Sequence, residues 1–528
     1  MPFATAYAVS LQGAFGHLIE VEADISSGVV GTTLVGRLDS ALSEARDRCR
    51  MAVVNSELAW PATRRVTVLL SPADLPKRGT HFDIAIAVAV LAAAEEVPRV
   101  ALPSTVFIGE LTLSGGLRAV PGVLPMTLAA ARQGIQRVVV PEPQAREAAM
   151  VPGMEVLGLR SLAQVAAELR GDQVPGAPPV APMSGSRLLS WRGQDRYDDL
   201  DLADVHGMAD ARFAVEVAAV GGHHVMLSGP KGSGKTTLAE RVPGLLPDLS
   251  PEESLELTAI HSLAGALEPG DELLRRPPFS APHHDASKAS LIGGGTGVVR
   301  PGELSRAHGG VVFLDELPLF RTDVIEALRQ PLESGEVTIA RGQESVTFPA
   351  RAMMVFAANP CPCGDYHPAA RQSRCVCSEV KRREYRRRLT GPIIDRIDIT
   401  RHLLPVQAHE VRDRFAHPEP TASVRARVEE SRVRQAERYA DQPWRLNGQV
   451  PGPALLAGWP LTDGGQRLLD DQLYAGRLSR RGAARVHRLA WSVADLFQRP
   501  RPGRVEVEVA LQLRAGEPLE MSLLRRVG

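Results

Sequence analysis

Gly229-Pro230-Lys231-Gly232-Ser233-Gly234-Lys235-Thr236, followed by Thr237, has the residue types and spacing of a phosphate cradle. In the pattern G-x-x-x-x-G-K-[ST], glycines let the backbone curl until its N–H groups converge on phosphate oxygens. Lys235 would reach the β- and γ-phosphates of a nucleoside triphosphate, and the Thr236 hydroxyl would ligate Mg²⁺. The chain has 5 Lys against 56 Arg, so composition alone does not supply two lysines in one loop. Eighty residues after Lys235, Val311-Val312-Phe313-Leu314 runs into Asp315-Glu316. Asp315 would hold Mg²⁺ through water, and Glu316 would polarise the attacking water. Many strands end in acidic turns, but this one shares an α/β unit with the cradle. A cradle alone binds nucleotide; with a general base beside it, hydrolysis follows.

The elements that must position these groups are legible around them. Val225-Met226-Leu227 reads as a strand entering the loop, and Leu238-Ala239-Glu240 as the start of a helix leaving it. A further apolar run, Met353 to Ala358, ends at Asn359, which can hydrogen-bond the γ-phosphate or the attacking water; Asn is also common in ordinary strand-end turns. The segment Gly391–Asp398 sets Arg396 between Asp395 and Asp398. Such patterns usually make surface ion pairs of small worth. In a ring of NTPase subunits the same arginine can reach a neighbour's γ-phosphate.

At 528 residues the chain has room for roughly two to four domains. Its formal charge is zero and its isoelectric point near 7.3, so any nucleic-acid contact must come from local Arg and Lys. The longest apolar run, Ile84 to Ala94, has eleven residues, short of the roughly twenty that span a bilayer. No basic segment precedes an apolar stretch at the N-terminus, so no signal peptide is expected and the cytoplasm is the expected location. Strand-like runs at Val66–Leu70, Val106–Gly109 and Val138–Val140, with helical patterns at Leu38–Met51 and Ile84–Ala94, predict an α/β domain over 1–172. Pro, Gly and Ser then predict a linker at 173–198. The nucleotide-binding α/β core is expected over 199–406. Residues 407–528 read as helical, with helices at Ser423–Arg438, Gly464–Leu473 and Leu478–Phe497.

The phosphate loop, Asp315-Glu316, Asn359, Gly391-Pro392-Ile393-Ile394-Asp395-Arg396 and Leu478-Ser479-Arg480-Arg481 together resemble an AAA+ ATPase of the magnesium-chelatase-related group. Within it, Ser280-Ala281-Pro282-His283-His284-Asp285-Ala286-Ser287, Gly293-Gly294-Gly295 and Asn359-Pro360-Cys361-Pro362-Cys363-Gly364 look like the ComM/YifB family. The resemblance runs over essentially the whole chain. It implies Asn359 as sensor 1, Arg396 as a trans-acting arginine finger and Arg481 as the sensor 2 arginine. It also implies ATP and Mg²⁺ as cofactors, a hexameric ring, and a P-loop AAA+ core with a C-terminal helical lid. The N-terminal third resembles the proteolytic domain of Lon-type proteases, in the variant also attached to the RadA recombination ATPase. Lys77–Asp83 matches the stretch where such proteases carry their nucleophilic serine, yet no Ser occurs between Ser71 and Ser104. Leu124 and Pro125 stand where the catalytic lysine would be. A Ser–Lys dyad needs nucleophile and base within hydrogen-bond reach. Proteolysis is therefore rejected, and the domain is expected to serve assembly or DNA binding.

Cys361, Cys363, Cys375 and Cys377 form two C-x-C pairs with eleven residues between them, and His367 lies near as a substitute ligand. Two readings stay open: a tetrahedral Zn²⁺ site, or four reduced thiols shaping a loop. Cys49, alone in a helical pattern, reads as core. Two loops are candidates for gripping a substrate. One is Phe279–Arg300 with Lys288, read as too polar and flexible for a core element. The other is a hairpin of Val337–Ala340 and Ser345–Phe348 with Arg341 at its tip. In related ATPases such inserts reach the central pore, where Lys288 and Arg341 would touch DNA phosphates; ordinary exposed turns explain them otherwise. The basic run Lys381–Arg388 reads equally as a solvated helix face, a subunit contact or a phosphate-binding patch. The resemblance favours a hexameric DNA motor acting on single-stranded or branched DNA. A magnesium-chelatase-type motor subunit and a MoxR-like protein-remodelling chaperone are the alternatives.

Overall fold

A computed structural model describes residues 3–181, 200–268, 270–295, 299–341, 344–366, 375–388, 393–405 and 418–519. Of the expected linker, only 173–181 falls among them, as chain without regular structure. The N-terminal domain is built on a seven-stranded sheet. Its order is Gly31–Val35, Arg65–Ser71, Phe15–Ser26, Phe3–Gln12, Thr105–Phe107, Arg137–Pro141, Glu155–Leu159. Period-two alternation in the first two strands of the chain turns Ala4, Ala6, Ala8, Ile19, Val21 and Ala23 onto one core face. Against that face lies helix Asp83–Ala93, in which every residue is buried. Its unbroken apolar run thus marks a helix covered all round. Among the described residues no helix is long and apolar enough to cross a membrane. Leu124 joins Val151 and Ala259 in an apolar contact with the core's helix Pro251–Ala264.

The core sheet has five strands, all parallel, in the order Phe279–Ser280, Val311–Leu314, Met353–Ala358, Val225–Ser228, Ile399–His402. Both faces are buried, which explains why its strands read as continuous apolar runs. Val225, Leu227, Val311, Phe313, Val355 and Ala357 face one side. Met226, Val312, Leu314, Met354, Phe356 and Ala358 face the other. The first side is continuous with the C-terminal helices Thr421–Arg438, Asp463–Tyr474, Arg480–Leu496 and Arg504–Ala515, through Val424, Leu469, Val486 and Leu513. These helices share the core of the sheet.

A buried polar knot ties the two together. Asp398 accepts from Arg485 Nη1 at 2.6 Å and from the His224 backbone N–H at 3.0 Å, with His223 Nδ1 3.7 Å away. Burial opposes the Asp398 charge, but the nearby His223 and the Arg485 charge win and hold its carboxyl well below the usual range. Burial pushes the His224 imidazole down to about 4, and its neutral ring accepts from the Met354 N–H at 3.1 Å. Asp398 therefore anchors the helix that carries Arg485.

Candidate active site

Parallel strands place their C-terminal ends along one edge, and the site forms there. Met353–Ala358 lies between the strand that enters the phosphate loop and the strand that ends in Asp315-Glu316. Asn359 is therefore set between cradle and carboxylates. The loop turns on Gly234, whose φ of +80° favours glycine; a Cβ there would stand 2.7 Å from the Met208 methyl. This left-handed cap lets the next helix begin at once. It spans Lys235–Ala239, three residues earlier than the sequence pattern suggests, and puts Lys235 and Thr236 in its first turn. Ser233 is buried, whereas Lys231 and Thr237 are exposed. Gly229 donates its N–H to the Ala358 carbonyl at 3.2 Å, fastening Pro230 and the start of the loop to the strand that bears Asn359.

Lys235 Nζ donates to the Gly229 and Pro230 carbonyls at 2.8 and 2.9 Å. Burial lowers its pKa, opposed by the charges of Asp315 and Glu316. The Thr236 hydroxyl lies 3.3 Å from Asp315 Oδ2. Cis ligands of an octahedral Mg²⁺ stand about 3 Å apart at metal–oxygen distances near 2.1 Å, so this all-oxygen pair fits one coordination shell. Glu316 follows with φ +52°, a left-handed conformation rare outside glycine, and its N–H is held by Asp315 Oδ1 at 2.8 Å. Strain of this kind concentrates at functional positions.

Two neighbours of this site were not legible. His284 Nδ1 stands 3.7 Å from Glu316 Oε2, so the insert expected to grip a substrate also approaches Glu316. Tyr385 is buried beside the Asn359 backbone; burial and the Glu316 charge push its phenol up to about 12. It sits on helix Glu379–Arg387, inside the basic run that spacing alone left ambiguous.

The insert itself differs from the expected flexible loop. Phe279-Ser280 is an edge strand paired with Val311-Val312, and Leu291 and Ile292 of helix Lys288–Ile292 are buried. Apolar side chains at these positions seal the sheet face, and Lys288 is left exposed at the helix start. The hairpin forms as expected from Glu336–Arg341 and Glu344–Pro349. Arg341 ends its first strand, and the tip, 342–343, lies outside the described residues. Arg396 ends a short turn of helix and pairs with Glu333 at 2.5 Å. Gly391 and Pro392 lie outside the described residues, as does His367. Arg481 is exposed on the first turn of helix Arg480–Leu496, one turn before Arg485.

The four cysteine sulfurs gather within 4.8 Å of one another. Cys361 lies 3.3 Å from Cys363 and 3.6 Å from Cys375, and Cys363 lies 3.5 Å from Cys375. A disulfide would need about 2.0 Å. A tetrahedral thiolate site with Zn–S near 2.3 Å has edges of about 3.8 Å, so the cluster is compatible with a structural zinc. A backbone hydrogen bond from Asp365 lowers Cys363 to about 6, toward the thiolate that binds metal.

Residues 201–411 match the family described as magnesium chelatase, subunit ChlI. Residues 21–144 match the one described as subunit ChlI of Mg-chelatase, and 418–514 the ChlI C-terminal family. An uncharacterized protein of Mycobacterium tuberculosis is 46% identical over 97% of this chain and 99% of its own. YifB of Escherichia coli, also described as uncharacterized, is 37% identical over 96% of both chains. Competence protein ComM of Haemophilus influenzae is 36% identical over 94% of both. The chain belongs to the ComM/YifB family of magnesium-chelatase-related proteins. For a ComM/YifB protein the α/β architecture with a chelatase-like AAA+ core is as the sequence implied, and the family suggests ATPase activity with ATP and Mg²⁺ as cofactors.

Proposed function

We propose that this protein is a cytoplasmic, ATP-hydrolysing motor that assembles into a hexamer and drives branch migration of DNA in recombination and natural transformation. The observation that carries the hydrolytic part is the meeting of Thr236, Asp315, Glu316 and Asn359 at one edge of a parallel sheet. Lys235 exchanges its two loop carbonyls for phosphate oxygens. Thr236 and Asp315 would hold Mg²⁺, which would supply positive charge against the phosphates. Glu316 takes a proton from the attacking water while Asn359 orients it. The DNA part rests on the relative named a competence protein and on Lys288 and the Arg341 hairpin as phosphate contacts. The inert N-terminal domain serves assembly or DNA binding.

The deciding experiment is ATPase activity with and without forked or single-stranded DNA. A rate unmoved by DNA but raised by a protein partner would replace this reading with a chelatase-type or MoxR-like one. With net charge zero, only a few cations per subunit can meet DNA, so binding should need the assembled ring. Binding is expected to be weak without nucleotide and tighter with a non-hydrolysable ATP analogue. Affinity should fall steeply between about 50 and 200 mM salt with little sequence preference, since phosphate contacts release counterions and carry no base information. Lys288→Ala and Arg341→Ala should lose strand displacement. Salt-insensitive binding would argue against backbone contacts.

The cysteine cluster holds one structural Zn²⁺ in this reading. Protein purified without chelator should carry one zinc per chain by metal analysis. Cys361→Ser or Cys375→Ser should lower both metal content and thermal stability, because site formation and folding are coupled. Four titratable thiols without metal would leave the cysteines as loop-shaping residues only.

A further inference from the structure

We propose that the cysteine knuckle is a working part of the nucleotide site, clamping the phosphate loop against the Asn359 turn so that its metal occupancy sets ATP affinity. The inference rests on the zinc reading above and assigns that site a role the metal alone does not imply. Its first arm leaves the strand at Asn359 and reaches Cys361 two residues later. Gly364 closes that arm by donating its N–H to the Cys361 carbonyl at 3.0 Å. The Gly364 carbonyl in turn accepts the Lys231 N–H at 3.2 Å. The phosphate loop is thus fastened twice to one short stretch: Gly229 to Ala358 at its start and Lys231 to Gly364 near its crown.

The contact is also tight. Gly364 has φ +83°, and a Cβ there would stand 3.2 Å from the Lys231 Cβ and 3.9 Å from the Asn359 Cγ. The second arm, Cys375 and Cys377, runs through the Ser378 cap into helix Glu379–Arg387. That helix brings Tyr385 to the Asn359 backbone. One arm therefore holds the cradle and the other packs beside Asn359. The Arg382 and Arg386 guanidiniums lie 4.3 and 5.1 Å from the Tyr366 ring, between the arms. Metal joining both cysteine pairs makes the arms one rigid body; without it they are joined only through neighbouring contacts and the chain between them. Loosening the clamp frees the Lys231 amide and the loop shape that faces phosphate.

The test compares wild type, Cys375→Ser and Gly364→Ala in metal content, affinity for a fluorescent ATP analogue with Mg²⁺ supplied, and hydrogen exchange at the phosphate loop. Cys375→Ser should lose zinc, bind the analogue about tenfold more weakly, the scale of one lost hydrogen bond, and expose the loop amides to exchange. Gly364→Ala should keep its zinc yet weaken binding and deprotect the same amides, because a Cβ is strained there and meets Lys231. Folded Cys375→Ser protein that lacks zinc but binds the analogue as wild type does would overturn the clamp and leave the zinc reading standing. Wild-type protein without zinc would overturn both. Unchanged affinity and exchange in Gly364→Ala would also overturn the clamp.

Discussion

Glu316→Gln is expected to bind ATP as tightly as the wild type and to hydrolyse it about 10²- to 10⁴-fold more slowly, the range lost with a general base. The amide keeps the size and the left-handed backbone of Glu316 but cannot take the water's proton. Because Thr236, Asp315 and Lys235 are untouched, the cradle stays whole and nucleotide accumulates unhydrolysed. Lys235→Ala should do the opposite: it deletes the charge that faces the phosphates, so affinity falls first. Single-turnover hydrolysis beside equilibrium binding separates the two. A Gln variant turning over at the wild-type rate would remove Glu316 from the role of base. His284 sharpens the measurement, since its ring is already 3.7 Å from the carboxylate and can contact the amide equally.

What could be read from the sequence was whatever local spacing dictates. The phosphate loop is a continuous motif whose chemistry resides in its own backbone, and the acidic strand is apolar because both sheet faces are covered. Helix ends near Thr421, Arg438 and Leu496 followed from apolar periodicity. Contacts across long stretches of chain carried no such signal. Tyr385 looked like one aromatic in a basic run, and only packing turns it toward Asn359. Asp398 looked like half of an Arg-flanking acid pair, whereas folding buries it with Arg485, 87 residues away. The edge strand Phe279–Ser280 is two residues long, too short for alternation to register, so the insert read as loop.

Arg396→Ala should leave ATP binding and assembly in place and lower hydrolysis by at least about 10³-fold, the smaller effect seen for arginines that act in trans. In the single chain Arg396 is held by Glu333, half of which is exposed. The Arg396 side chain is 12% exposed, so the pair is open to solvent mainly at its carboxylate end. A neighbouring subunit's γ-phosphate, with more charge and less solvent, would compete with that carboxylate for Arg396. Glu333→Gln is therefore the discriminating control. If Arg396 were only a strut, removing either partner would cost the same. If it acts in trans, Glu333→Gln retains hydrolysis while Arg396→Ala abolishes most of it. Because such a site exists only between subunits, specific activity should also climb with protein concentration and with ATP-driven ring formation. A monomer whose rate is unchanged on dilution would place the whole site within one chain and leave Arg396 no part in it.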